Sequence, residues 1–345
     1  MYIKKNFSFK SIMAFSGHHF TWLVPMVTVV ALIQRYSGLS WVIIPWQPIA
    51  VIGTAVAFYL SFKNNQAYDR LWEARKVWGA IVNSSRAWGS YVKGFVSNQF
   101  TSSDVQDSEL YETRRKLIYR HIAWLYSLRS QLLIPTPWEH ISQKGMVAKY
   151  ARRRRETYGI GLVADEVTQT ELSFFLPEDE HERLINYKNT ATQIIDQQSE
   201  DLRELRSKNL IDDFRQMEMQ KVLYDFYVHQ GKLERIKKFP LPRQYGSMSF
   251  VLVAIFIAVL PFGVIPLFSG MGSVGTWVGI PFTVLVAWVF LVMELVGDYT
   301  ENPFEGTGND IPMLSLCRTI EIDLREMLNE KDVPPPIEAK NNVLM

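Results

Sequence analysis

Three carboxylates, Glu301, Glu305 and Asp310, fall within the short stretch ENPFEGTGNDIP, Glu301 to Pro312. A loop of this kind can coordinate a hard cation, supply a catalytic acid or base, or turn the chain. Hard cations want about six to eight oxygen ligands. Here Gly306, Thr307 and Gly308 separate Glu305 from Asp310, and no carboxylate cluster forms in the sequence. The residue types favour a corner. Gly306 and Gly308 admit unusual backbone angles, Asn309 and Asp310 can bond nearby amides, and Pro312 suits the first turn of a helix. The reading is therefore no metal and no cofactor.

The other candidate chemistry is sparse. The six histidines lack ligand spacing, and the adjacent His18 and His19 could not both aim at one metal from one helix. Glu294 and Asp298 stand at i and i+4 near the end of an apolar run, where pairing with Arg or Lys from the charged insert, residues 63–240, is favoured over a proton relay. ARRRRET, Ala151 to Thr157, reads as a solvated face or an intersubunit pairing surface rather than a nucleic-acid patch. No nucleophile with its base, metal cluster or phosphate loop stands out, so no enzyme is expected.

These residues must be held by the elements that the apolar residues dictate. Hydrophobic residues make up 48% of the 345 and charged residues 21%, but they are segregated along the chain. Trp41 to Phe62, Met248 to Phe268 and Gly272 to Met293 are each free of formal charge and match the ~20 residues that a membrane-crossing helix needs. Phe20 to Ile33 is shorter and crosses only if residues back to Ser11 join it. Four spans follow, with the uncharged turn LFSGMGSVG joining the last two. Between them, residues 63–240 are strongly charged and helical in pattern. Helices are expected over Lys63 to Phe95, Val105 to Ile134, Glu178 to Ile211 and Met217 to Lys238. The division is 1–19 as an N-terminal segment, 20–62 as two spans, 63–240 as a helical insert, 241–297 as two spans, and 298–345 as a loop, helix and tail. Lys4, Lys5 and Lys10 precede the first span while the hairpins carry only Arg35, which places both termini and the insert in the cytoplasm. Cys317, the one cysteine, excludes an intrachain disulfide and fits a reducing compartment.

Two separated motifs carry a resemblance. FYLSFKNNQAYDRLWEARKVWG, Phe58 to Gly79, is similar to the segment with which bestrophin-family channels leave their second span, and ENPFEGTGNDIPMLSLCRTIEIDLREML, Glu301 to Leu328, to that family's signature after the fourth. FPLPRQYG, Phe239 to Gly246, resembles the family's entry into the third span, and the bacterial branch is the nearest in character. The resemblance implies an all-α membrane protein, a homopentamer around a central pore with a narrow hydrophobic neck, in the plasma (inner) membrane of a bacterium. Animal bestrophins follow the corresponding loop with acidic residues that help grip calcium. This sequence departs from that pattern.

Thr54, Phe58 and Phe62 recur at i, i+4 and i+8 and so share one helical face. By itself such a stripe most often meets lipid or a neighbouring helix. The resemblance makes it the pore neck, with Thr54 adding a hydroxyl to the outermost layer. By position before FPLP, the resemblance also makes Phe214 a cytosolic aperture, with Ile211 as a fallback. Asp212 and Asp213 beside it would form an ion-attracting ring in a pentamer, or serve as ordinary solvated residues. The expected activity is passage of small monovalent ions across the bilayer, leaning to cations, with an anion channel, a non-conducting scaffold or a transporter as alternatives. No nucleic-acid partner is expected.

Overall fold

The computed structural model describes residues 1–37, 43–101, 105–158 and 172–345. Every regular element among them is helical: α1 (Phe9–Ser16), α2 (Phe20–Tyr36), α3 (Trp46–Phe95), α4 (Asp107–Leu133), α5 (Met146–Tyr158), α6 (Glu178–Ile185), α7 (Thr190–Ser207), α8 (Asp213–Lys238), α9 (Arg243–Val264), α10 (Gly275–Asp298) and α11 (Met313–Met327). Pairing of extended backbone is confined to isolated bridges, Tyr2 with Val343 and Lys340 with Val343. Among the described residues, two helical stretches, Phe9–Tyr36 and one within Asp213–Asp298, are long and apolar enough to cross a membrane.

The chain divides into two compact units. One holds residues 4–70 and 240–302. In it α2 and α9 pack against α10, around Leu23, Ile49, Val56, Leu60, Phe256, Leu260 and Ala287. The turn expected at LFSGMGSVG is a 3-10 segment, Ile265–Val274, and α10 starts at Gly275, three residues later than the apolar pattern suggested.

The other unit holds residues 1–3, 71–239 and 303–345. Its central element is α4, whose residues 117–129 are buried without interruption. A helix apolar or paired on every side belongs inside a bundle. Arg120 can sit there because Glu180 and Asp201 both meet its guanidinium.

Two helix boundaries differ from the sequence reading, and one junction is continuous. α3 runs unbroken for 50 residues from the second expected span into the helix expected over Lys63 to Phe95, and the compact units divide between Arg70 and Leu71. The helix expected over Glu178 to Ile211 is two helices, because Asn189 leaves the helical region and caps α7 by accepting from the Thr192 amide at 3.0 Å. Asn209, at φ 55°, ends α7. Asp212 then caps α8, which begins at Asp213 rather than Met217.

His121 lies fully buried in α4, stacked between Trp124 and Phe226 with its Nε2 2.9 Å from Ser85 Oγ. Burial lowers its pKa from 6.5 to about 3, so the fold selects the neutral ring. Because the folded pKa is depressed, this contribution is complete above pH 6.5 and is lost as pH falls. The loss should reach about 2 kcal/mol by pH 5, at 1.36 kcal/mol per unit below 6.5. Denaturant melts from pH 7.5 to 5 should show this slope, and His121→Gln should flatten it.

Candidate functional site

The first half of α3 has two faces set by spacing alone. Gly53, Val56, Leu60, Lys63 and Ala67 are buried, at alternating steps of three and four residues. At about 100° per residue they lie about 140 to 180° from Phe58. Thr54 and Phe62 each lie about 40° from Phe58, one to either side of it, on the opposite side of the helix. All three are exposed, Phe58 by 65% and Phe62 by 64%. The structure thus brings the three stripe residues together on one uncovered face. Val56 and Leu60 are 2% and 0% exposed. The stripe continues toward the helix's charged half as Asn65, Gln66 and Asp69.

What holds the face outward is the packing behind it. Gly53 lets α9 approach so closely that a Cβ there would stand 2.8 Å from the Phe256 ring. Tyr59 Oη donates to the Gln244 carbonyl at 2.9 Å. The Lys63 ammonium meets Glu294 Oε1 at 2.5 Å, and the Ser249 hydroxyl stands within donating distance of the same oxygen at 2.9 Å and of the Gly246 carbonyl at 2.8 Å. One residue on, Asn64 Nδ2 donates to the Met293 carbonyl at 3.0 Å. The sequence reading expected Glu294 to find a cation but treated Lys63 as the head of a solvated insert. The missed signal is that Lys63 sits on the heptad-like row of buried positions.

Thr54 donates its hydroxyl to the Ala50 carbonyl at 2.9 Å. Its donor is thereby spent within the helix, and the outermost layer of the stripe is less polar than the residue type suggests.

In the other unit, Phe214 is 82% exposed whereas Ile211 is fully buried in the helical core. The Ile211 side chain is therefore enclosed within the chain, whereas that of Phe214 is uncovered. The neighbouring carboxylates are engaged. Asp212 accepts from the Arg215 amide at 2.9 Å and lies 3.5 Å from the Arg215 guanidinium. Arg206 pairs with Asp213 and holds that carboxyl below its usual range.

The acidic corner is built around Asp310, which is buried and accepts from the amides of Phe304 at 3.0 Å, Gly306 at 2.7 Å and Ile311 at 2.7 Å. Burial nonetheless pushes its carboxyl up. The left-handed backbone falls at Phe304 (φ 71°) and Gly306 (φ 83°), not at Gly308. Glu305 accepts from the backbone amide of His140 at 2.6 Å and lies 2.9 Å from its Nδ1. Lys237 pairs with the buried Glu139 nearby, and its charge also acts on Asp310. In the first unit, Glu301 lies 3.5 Å from Arg243. The loop's carboxylates thus serve amides, a histidine and an arginine, the arrangement of a corner. Asp310→Ala strands three buried amides at about 1 to 3 kcal/mol each, so thermal melts should fall by roughly 6 °C or more. Chelation of calcium should leave the wild-type melting temperature unchanged, since the loop's carboxylates are committed to amides, His140 and Arg243.

Residues 13–326 match a family model described as bacterial/fungal bestrophin protein. The chain is 24% identical over 343 residues to a voltage-dependent anion channel-forming protein of Ralstonia nicotianae, covering 97% of both. It is 25% identical over 312 residues to the voltage-dependent anion channel-forming protein YneE of Escherichia coli K12, covering 90% of this chain and 86% of that one. In fold it is similar to the crystal structure of a bacterial bestrophin homologue from Klebsiella pneumoniae, with a TM-score of 0.71 at 19% identity, over 91% of this chain and 99% of the other.

Proposed function

The chain belongs to the bacterial and fungal bestrophin family, a family of ion channels, and from that premise we propose that five copies form a pore for small monovalent ions in the plasma (inner) membrane of a bacterium. In this reading four segments cross the bilayer, centred on α2, the first half of α3, α9 and α10, with both termini and the helical insert in the cytoplasm. One chain presents a single stripe, so a closed wall needs several copies around an axis. The observation that carries the proposal is the uncovered face of α3, where Thr54, Phe58 and Phe62 are exposed while the opposite row is packed.

Five copies of that face give three stacked rings of side chains. Two are aromatic, and the Thr54 hydroxyl is turned into its own helix. Water in such a constriction loses hydrogen bonds that the wall does not replace, so the neck can empty and block ions without any side chain swinging across it. Phe214, exposed at the start of α8, supplies a second constriction on the cytosolic side.

On ion sign, the preference for cations finds little support at the aspartates that suggested it. Asp213 is neutralised by Arg206, and Asp212 is committed to its helix cap. Aromatic ring edges are electropositive, and relatives carry the name of anion channel-forming proteins. Both favour anions. In asymmetric sodium chloride, the reversal potential of reconstituted protein should lie toward the chloride equilibrium potential. A value at the sodium potential would reverse this assignment.

The neck has its own test. Phe58→Ala and Phe62→Ala should each raise liposome ion flux, because five rings leave one layer at once. Leu60→Ala, on the packed row, should lower stability by about 2 to 5 kcal/mol and leave flux through intact pentamers nearly unchanged. Native mass spectrometry that finds monomers or dimers alone would remove the pore.

A further inference from the structure

Lys63 and Glu294 are almost wholly withdrawn from solvent, with side chains 1% and 6% exposed. As a stabilising device the pair is poor. Desolvating two charges is repaid only when the remaining polar atoms are also satisfied, and an apolar pair of the same volume often packs as well or better. Here Glu294 Oε2 is buried and has no hydrogen-bond partner among the described residues, since both Lys63 and Ser249 converge on Oε1. An ion pair left half-satisfied in an apolar setting calls for a reason other than stability.

Its position supplies one. Lys63 directly follows Phe62, the innermost ring of the stripe, and stands about 100° round the helix from it, on the packed row. The bonds Lys63 to Glu294 and Asn64 to the Met293 carbonyl are consecutive on both helices, so together they fix the rotation and the axial register of α3 against α10. A slip of one residue would turn Phe62 by about 100° away from its face.

We propose that the Lys63–Glu294 pair, braced by Ser249, is a specificity-determining strut behind the pore wall: it holds Phe62 in register, and its balanced charge keeps the inner end of the neck free of a net field. This rests on the pore reading above. Its consequence is electrostatic, because each change repeats five times around the axis in a medium that screens poorly. Taking away the ammonium leaves five carboxylates behind the wall. Taking away the carboxylate leaves five ammonium groups.

The experiment measures the chloride-to-sodium permeability ratio of reconstituted pentamers for the wild type, Lys63→Met, Glu294→Gln and the double variant. Lys63→Met should lower the ratio and Glu294→Gln should raise it, each by about threefold or more, and the double variant should return toward wild type. Loss of packing alone would move both singles in the same direction and would add in the double variant. Where a single variant does not assemble, Ser249→Ala serves instead. It removes one hydroxyl from Glu294 without changing any charge, and it should lower the ratio modestly. A conducting wild type with unchanged or same-direction shifts in the assembled singles, or with no shift in Ser249→Ala where they do not assemble, overturns the strut alone. A wild type that conducts no ions overturns the pore reading, and the strut with it.

Discussion

A lysine ammonium and a glutamate carboxylate can leave water only together, and in this chain that requirement joins α3 to α10 at Lys63 and Glu294. The pair is the one fully charged contact in a row of positions otherwise filled by Gly53, Val56, Leu60 and Ala67. Apolar packing along such a row tolerates small rotations, since one methyl group replaces another at little cost. A buried ion pair does not. Once it is made, the opposite face of the helix is committed to Thr54, Phe58 and Phe62, and those side chains are left without cover in the single chain. In the proposed channel, assembly and ion passage would both follow from that commitment.

The helix also has to be long. The same three-and-four spacing that packs Val56 and Leu60 continues through Ala74, Trp78, Ile81, Ser85 and Trp88, all buried in the second unit. Each unit thereby draws its own core from a different half of one continuous element. In the second unit the work is done by α4, which is buried from all sides and carries its polar groups as matched sets: Arg120 with Glu180 and Asp201, His121 with Ser85, and Tyr126 with Glu321. The acidic corner belongs to the same style of construction. Asp310 replaces missing backbone partners, so a short loop can turn inside a core without leaving amides stranded.

Much of this was legible in residue order because apolar runs of membrane length are hard to mistake, and because the two motifs that carry the family resemblance lie far apart in the chain. The stripe was legible for the same reason that the packed row was, as helical spacing. What was hidden depended on contacts between distant residues. Lys63 looked like the first residue of a solvated segment because charge ordinarily marks a boundary, and only Glu294, far along the chain, makes its burial affordable. The Asn186 to Asn189 break was hidden because asparagine is tolerated in helices and is decisive only where its side chain caps the next one. Ile211 and Phe214 were indistinguishable by type, and the cap at Asp212 decides which of the two faces outward.

The central claim is that the Phe58 face of α3 lines the path that ions take. Cysteine scanning tests it most directly, because the native Cys317 is buried and leaves a quiet background. Phe58→Cys, Phe62→Cys and Leu60→Cys would be reconstituted separately and exposed to a small, charged, membrane-impermeant thiol reagent while ion flux is recorded. The account predicts that flux through the Phe58 and Phe62 variants is blocked rapidly and restored by a reducing agent, with the Leu60 variant unaffected. Block at Leu60 with none at Phe58 or Phe62 would contradict it.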